Sequence, residues 1–484
     1  MDGSGNPWIR ADLGITGDRI AFVGRLPASA VVSRTIDAGD RVVAPGFVDV
    51  HSHAAEGLTT AALRQAQPLI AQGITTIVAN PDGGGPIELA QQRARLEDGG
   101  TGPNVALLVG HGSIRRAVLG DARRDPTPAE LARMVEMVRT AMRAGAFGLS
   151  SGLFYAPASF AKTPEVAALA NAAAEAGGVY TSHIRDEGNY TVGVVASVDE
   201  VIAIAEQSRG VGIVTHMKAL GRESWGLSAT LLAHIDAARR RGVQVFVDQY
   251  PYEASSTSLR AALLPGGVAI PAPLPPAGSD LEQVAADNLA RRGGADAIVI
   301  AFFPPDRSLE GKRLSEIAGA RGGNPVRTAL ELMAEGNPSI VSFNMSEDDI
   351  AAIMRAPYTM ASSDGGLVAP GAGHPHPRDY GAFARRLAVY VRERHVVPLE
   401  FAIRSMTSLP AMVFGIADRG VIRQGAYADL VVFDPARVRD VATYADPQQL
   451  AEGVSDVLVN GVVIRADGRF TEARPGRVLR KNAR

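Results

Sequence analysis

Cysteine is absent from the 484 residues, so the chain has no disulfide and no thiolate ligand; any metal it holds must be taken by nitrogen or oxygen donors. Long apolar runs are missing as well. No stretch approaches the ~18 uncharged apolar residues of a membrane-crossing helix, so no membrane span is expected. Neither sign of charge dominates. The formal net charge is −2 and no run of like charge reads as an interaction tail, which argues against nucleic acid or another charged polymer as partner. The opening Met1-Asp2-Gly3-Ser4-Gly5 carries neither the basic nor the apolar region of a signal peptide; the cytoplasm is the default expectation, although a trimmed start would read the same. What is present is ample apolar material, 46% against 21% charged, in a chain long enough for a barrel of about 250 residues plus additions.

Short apolar runs alternate with helix-compatible stretches through the middle of the chain. The runs at 47–51, 74–80, 105–110, 147–152, 179–183, 212–216, 243–248 and 358–363 read as strands. Segments such as 128–144 and 163–176 carry Ala, Leu and Glu at helical spacing between them. Strand–helix alternation implies a parallel sheet, and eight repeats imply closure into a (β/α)₈ barrel. The ends differ. Arg19-Ile20-Ala21-Phe22-Val23-Gly24 and Arg41-Val42-Val43 near the start resemble in character Asp429-Leu430-Val431-Val432-Phe433 and the stretch 457–463 near the end, where Asn460-Gly461 signals a hairpin. Both ends together are expected to build one small β domain. The expected division is 1–45 and 413–484 for that domain and 46–412 for the barrel. About a hundred residues separate the last two strands, with a Pro-rich run at 265–276, so an insertion over roughly 263–345 is expected, serving as a lid, a spacer or a contact between copies.

Ionisable residues gather where the expected strands end: His51 and His53, Asp82, His111, His183, His216, Asp248 and Asp364. Loops at the carboxyl ends of barrel strands converge on one cavity, which is where catalytic groups of such folds sit. A single histidine at a strand end is more often structural. His51-Ser52-His53, however, puts two imidazoles on one strand face, and joined with His183, His216 and Asp364 it points to a divalent-metal site. Such a site suits hydrolysis of an unactivated amide, because a metal lowers the pKa of water and polarises a carbonyl, while a carboxylate moves the proton. Asp364, in Ser362-Ser363-Asp364-Gly365-Gly366, stands where that carboxylate is needed; capping of the next helix is its alternative.

Ala44-Pro45-Gly46-Phe47-Val48-Asp49-Val50-His51-Ser52-His53 resembles the first-strand motif of the amidohydrolase superfamily, and more narrowly the chain resembles the N-acyl-D-amino-acid deacylases. The likeness continues in Gly110-His111-Gly112, Thr181-Ser182-His183-Ile184-Arg185-Asp186-Glu187, Thr215-His216-Met217-Lys218, Tyr250-Pro251-Tyr252-Glu253, His376-Pro377-Arg378-Asp379 and the closing Arg474-Pro475-Gly476-Arg477, and so covers essentially the whole chain. It implies a β-sandwich made from the two ends and metal ligands at His51, His53, His183, His216 and Asp364, with one or two divalent ions, zinc first among them. It also implies that Lys218, Tyr250, Ser256 and Arg378 hold a substrate carboxylate, a task suited to a guanidinium fork and an ammonium; a structural ion pair is the alternative for Lys218 and Arg378. His111 is counted with these substrate-binding residues.

One departure falls on a ligand. Where the family carries a metal-binding cysteine after the second strand, this chain reads Asn80-Pro81-Asp82-Gly83, and Asp82 falls on the cysteine's position. A carboxylate can bridge two ions and is a harder donor than thiolate; Asp82 could equally be the polar residue of a Pro-Asp-Gly turn. The expectation is therefore deacylation of an N-acyl-D-amino acid with Asp364 as proton shuttle. A dipeptidase or cyclic-amide hydrolase on the same site is the alternative, and a silent binding barrel is disfavoured by the intact ligand set. The partner is a small molecule with a free carboxylate, and a homo-oligomer is left open.

Overall fold

The computed structural model describes residues 1–27 and 29–481. Eight parallel strands form the centre: β1 (Phe47–Ser52), β2 (Ile74–Ala79), β3 (Asn104–Leu107, continued by Val109–Gly110), β4 (Gly148–Gly152), β5 (Val179–His183), β6 (Val211–Val214), β7 (Gln244–Gln249) and β8 (Thr359–Ala361). Each pairs in parallel with the next through β7 and β8. The ring is closed beyond β8, where Gly365 bridges Ser52, Asp364 N donates to His51 O at 2.9 Å and His53 N donates to Gly365 O at 2.8 Å. The expected barrel is therefore present.

Strands such as Ile74-Thr75-Thr76-Ile77-Val78-Ala79 are buried along their whole length, as parallel strands covered on both faces must be. Their crossover helices start where the chain supplies caps. Pro128–Arg143 opens on Thr127, whose hydroxyl accepts from Glu130 N while the Glu130 carboxylate accepts from Thr127 N.

The two chain ends meet in one antiparallel sheet, in the order Arg469–Phe470, Val462–Ala466, Val454–Val459, Leu430–Phe433, Val42–Pro45. The hairpin Asp12–Thr16/Arg19–Gly24 lies against it through Ile20 N to Ala426 O. Asn460 and Gly461 turn between two of its strands with φ of 50° and 77°, the pair of positive angles a tight two-residue hairpin needs.

Between β7 and β8, Ala254–Ser258, Ile298–Phe302 and Ser339–Phe343 form an antiparallel sheet flanked by Asp280–Arg291 and Pro325–Glu335. This unit has its own apolar core, including Leu263, Ile300, Phe303 and Leu330. Among the described residues no helix is long and apolar enough to cross a membrane.

Candidate metal centre

The barrel mouth opens into a cavity of about 740 Å³ lined by His53, Asp82, His183, His216 and Asp364 among others. β1 delivers His51 and His53. His51 is buried and His53 opens to the cavity, its side chain 41% exposed. Asp82, His216 and Asp364 sit just past their strands with φ of 55°, 35° and 50°, left-handed backbone that is uncommon for residues with a Cβ. Three such residues around one cavity mark where the fold holds strain in order to aim side chains inward.

The Asp82 loop is propped from β4. Ser150 Oγ donates to Asn80 O at 2.7 Å and accepts from Gly83 N at 3.1 Å. The Asn80 amide exchanges bonds of 2.8 and 2.9 Å with Gln92. His216 N donates to Asp248 Oδ1 at 2.9 Å, which fixes the turn after β6.

Asp82 stands between two groups of imidazoles. Its Oδ1 lies 3.3 Å from His51 Nε2, 3.6 Å from His216 Nε2 and 3.8 Å from His183 Nδ1, while Oδ2 lies 3.4 Å from His53 Nε2. Asp364 Oδ1 is 3.5 Å from His51 Nε2 and 3.2 Å from His53 Nε2. Donor atoms held about 2.1 Å from a shared ion in a tetrahedral shell are about 3.4 Å apart, so these separations suit a shared cation better than mutual hydrogen bonds. The unmet polar atoms agree: His51 Nε2, Asp82 Oδ1 and His183 Nε2 are buried without a hydrogen-bond partner among the described residues. Orphaned buried polar atoms are uncommon in native proteins and ask for a ligand.

Electrostatics point the same way. Burial opposes charge on His53, yet the Asp364 and Asp82 carboxylates beside it lift its pKa to about 10. At His216, burial and Lys218 are likewise outweighed by surrounding carboxylates, which raise its pKa to about 9. His183, deeply buried and beside His216, is pushed down to about 4 and stays a neutral donor. Burial works against ionised Asp364, but Arg378 and the imidazoles hold its carboxyl well below the usual range. Acidic groups in this pocket thus attract positive charge onto the neighbouring histidines, and a divalent ion would supply it instead.

Of the residues linked to the substrate carboxylate, Tyr250, Ser256, Lys218 and Arg378 all line the cavity. Arg378 Nη1 lies 2.7 Å from Asp364 Oδ2, and its carbon lies 4.7 Å from the centre of the Tyr250 ring. His376, buried, accepts from Arg378 N at 3.0 Å and so sets the start of that helix. Lys218 is engaged by Glu187, and its Nζ is 2.8 Å from His216 Nδ1. His111 is not brought to the cavity: it is fully buried, with Nε2 3.0 Å from Glu165, whose other oxygen faces Arg115. The Gly110-His111-Gly112 likeness reflects this buried triad and the close packing of its glycines rather than a pocket wall.

Sequence reasoning also left Glu187 unassigned. Its Oε1 lies 2.9 Å from His216 Nδ1, and Glu187, His183 and His216 form a second group of metal-competent atoms beside the His51, Asp82, His216 and Asp364 group. Its position four residues after His183, in a buried acidic stretch, was the available signal.

Comparison with known proteins agrees with this geometry. The chain is 38% identical to an N-acyl-D-glutamate deacylase of Alcaligenes xylosoxydans xylosoxydans, over 100% of this chain and 95% of that one. The solved N-acyl-D-glutamate deacylase of Bordetella bronchiseptica, complexed with zinc and a phosphonate mimic of the tetrahedral intermediate, is 37% identical with a TM-score of 0.85, covering 99% of this chain and 97% of that one. A D-aminoacylase structure addressing a binuclear metal centre is 35% identical with the same score and coverage. The pattern of the Amidohydrolase family matches residues 34–465. On fold, cavity and sequence alike, this chain belongs to the amidohydrolase family.

Proposed function

We propose that this chain is a metal-dependent amide hydrolase that deacylates N-acyl-D-amino acids, releasing a carboxylate and the free amino acid. The observation that carries the proposal is the convergence of His51, His53, Asp82, His183, His216 and Asp364 at the barrel mouth, with unmet donor atoms spaced for a shared cation. These six residues would hold one or two divalent ions, zinc being the ion bound by the Bordetella bronchiseptica relative. An ion bound there would lower the pKa of water and polarise the scissile carbonyl.

Asp364, ionised at neutral pH, accepts the proton of the attacking water and returns it to the leaving nitrogen. Arg378, 2.7 Å from Asp364, steadies that carboxylate and, with Tyr250 and Ser256, receives the substrate's α-carboxylate. Lys218 is paired with Glu187 and orients His216 rather than meeting substrate alone. Asp82, with Oδ1 facing His51, His216 and His183 and Oδ2 facing His53, would supply a hard oxygen donor to an ion held by these imidazoles.

The test is a panel of N-acetyl-D- and N-acetyl-L-amino acids, dipeptides and cyclic amides, assayed with protein loaded with zinc, cobalt or manganese. Turnover of N-acetyl-D-amino acids that disappears on chelation is the expected result. Turnover of only a dipeptide or a lactam would overturn the deacylase reading.

A further inference from the structure

Glu187 has no step of its own in that chemistry, yet the fold fixes it with care. It is buried and follows the last residue of β5, His183, by four positions. Leu220 N donates to its carbonyl at 2.8 Å, and the neighbouring Asp186 carboxylate gathers the N–H groups of Gly188, Tyr190 and Gly193 at 2.9, 2.9 and 3.0 Å. Its side chain takes the ammonium of Lys218, which is also buried.

The carboxylate faces the outer nitrogens of two imidazoles. Oε1 lies 2.9 Å from His216 Nδ1, and Oε2 lies 3.9 Å from His183 Nε2. The opposite nitrogens of the same rings, His216 Nε2 and His183 Nδ1, lie 3.6 and 3.8 Å from Asp82 Oδ1 and 3.0 Å from each other. Each ring is thus set between Asp82 on the cavity side and Glu187 behind it. A neutral imidazole carries one N–H and one lone pair, and the group facing one nitrogen decides which of the two it holds. Lys218 Nζ is 2.8 Å from His216 Nδ1, but an ammonium can only donate. Bonded there, it would leave the ring's proton on Nε2, and that nitrogen could not take an ion. With Glu187 Oε1 accepting from Nδ1–H, Nε2 keeps its lone pair for the cavity, and Lys218 donates to the same oxygen.

We propose that Glu187 is a positioning residue of the metal centre: it accepts the Nδ1 proton of His216, faces Nε2 of His183, and so holds both rings in the tautomer that turns a lone pair toward Asp82. The inference rests on the metal-hydrolase reading above. The same atoms offer one competing role, since Glu187, His183 and His216 form a metal-competent group and Glu187 would then be a ligand itself. The surroundings disfavour it. An ion held by Glu187 would use the ring nitrogens that face away from Asp82 and would lie against the Lys218 ammonium, which repels it. Carboxylates that accept the outer N–H of a ligating histidine fix its orientation and raise its basicity, and their loss typically costs about 10- to 100-fold in metal affinity.

The experiment measures the zinc affinity of the full chain by competition with a chromophoric chelator, in wild type and in two double variants, Lys218→Met with Glu187→Gln and Lys218→Met with Glu187→Ala. Both remove the charge at 187 without stranding Lys218, but only Glu187→Gln keeps an oxygen for His216 Nδ1–H. We expect the double variant with Glu187→Ala to bind zinc about 10- to 100-fold more weakly than the one with Glu187→Gln. Equal affinities overturn the proposal. Cobalt-loaded protein supplies a spectroscopic arm: the visible bands of the double variant with Glu187→Gln should match wild type in position and intensity, because no ligand has changed. A shifted or weakened spectrum would make Glu187 a ligand and overturn the positioning role. If neither variant folds, the nitrogen–proton correlation spectrum of the histidine side chains in zinc-loaded wild type decides; a proton on Nδ1 of His216 is expected, and a proton on Nε2 sinks the inference. None of these measurements uses a substrate, so an error in the substrate class leaves them standing. A wild type that takes up no divalent ion fails the metal reading and this inference with it, whereas a wild type that holds zinc beside double variants of equal affinity fails this inference alone.

Discussion

A carboxylate at position 82 makes different demands on a metal than a thiolate would. Asp82 offers two hard oxygens directed at different histidines, and hard donors discriminate weakly among divalent ions. Asp82→Ala should therefore lower the divalent metal retained per chain, and Asp82→Cys should restore retention with a bias toward zinc; elemental analysis after dialysis checks both, and an unchanged content in Asp82→Ala would return the residue to its turn. Asp364→Asn keeps an oxygen near His51 and His53 but cannot accept a proton, so kcat should fall by about 10²- to 10⁴-fold with metal content largely kept. Retained turnover would remove the proton-transfer role. Asp379, next to Arg378, shows a different balance: burial raises its pKa from 3.8 to about 7 despite the guanidinium. Between those values the folded chain keeps a proton the unfolded chain has lost, so this residue's effect on stability worsens as pH rises through that window and levels off above it. Asp379→Asn should thus melt higher than wild type at pH 8, with the gap closing toward pH 4. The histidines were legible because period-two alternation and strand ends fix where they point. Glu187 was legible only in part. Its place four residues after His183 was a local signal, but its pairing with Lys218 joins two separate loops that no local spacing links.

Parallel barrel strands are short, β-branched and buried throughout, and that is why all eight could be read from the chain to within a few residues. What the pattern could not show is the break in β3 at Leu108, between Asn104–Leu107, which pairs with β2, and Val109–Gly110, which pairs with β4. The antiparallel sheet of the insertion was also illegible, because its strands pair across long intervals of sequence, Ala254 with Phe343 for example. Glycines at the strand ends carry a further constraint at this scale. A Cβ on Gly152 of β4 would stand 2.3 Å from Asp82 O, and one on Gly110 of β3 would stand 2.3 Å from Gly84 O, so both strand ends press on the loop that presents Asp82. Gly152→Ala should displace that loop, costing about 1–3 kcal/mol of stability by overpacking and lowering metal content with it. The helix Leu314–Ala320 supplies the control: a Cβ on Gly319 meets nothing within 4 Å, so Gly319→Ala should add about 0.5–1 kcal/mol and leave activity untouched. Thermal melts with metal analysis on both variants separate the two effects. A Gly152→Ala protein that melts lower yet keeps its metal would show that the loop yields without moving Asp82.

The two chain ends grip the barrel through an apolar contact, in which Val431, Phe433 and Val457 share one core with Phe47 and Ile77, and through a buried polar network. The Arg419 guanidinium meets Asp429 and donates to Asn460 Oδ1 at 2.8 Å; Asp429 accepts from Asn460 N at 2.7 Å and from Asn104 Nδ2 at 3.2 Å; and Asn460 Nδ2 reaches Asn104 Oδ1 at 2.8 Å. All four residues are buried, and Asn104 opens β3, so one network fastens the sheet of the termini to the barrel wall. The union of the ends was legible in their matching β-prone runs, whereas this network was not, because its members are single polar residues at irregular spacing and Asn104 lies 325 positions from Asp429. Asp429→Ala would leave Arg419 charged and buried with Asn104 and Asn460 partly unmet, and breaking a buried pair in this way costs about 3–5 kcal/mol. The double change Arg419→Met with Asp429→Leu removes the charge along with its partner and should recover much of that loss, since apolar groups of similar volume do not require desolvated partners. Denaturant melts of wild type, Asp429→Ala and the double variant measure the comparison. If Asp429→Ala melts with wild type, the shared sheet at Val42–Pro45 and Leu430–Phe433 and its apolar contact with the barrel hold the ends without the network. If it melts lower and the double variant does not recover, the network's value lies in its hydrogen bonds to Asn104 and Asn460 rather than in neutralising one buried charge.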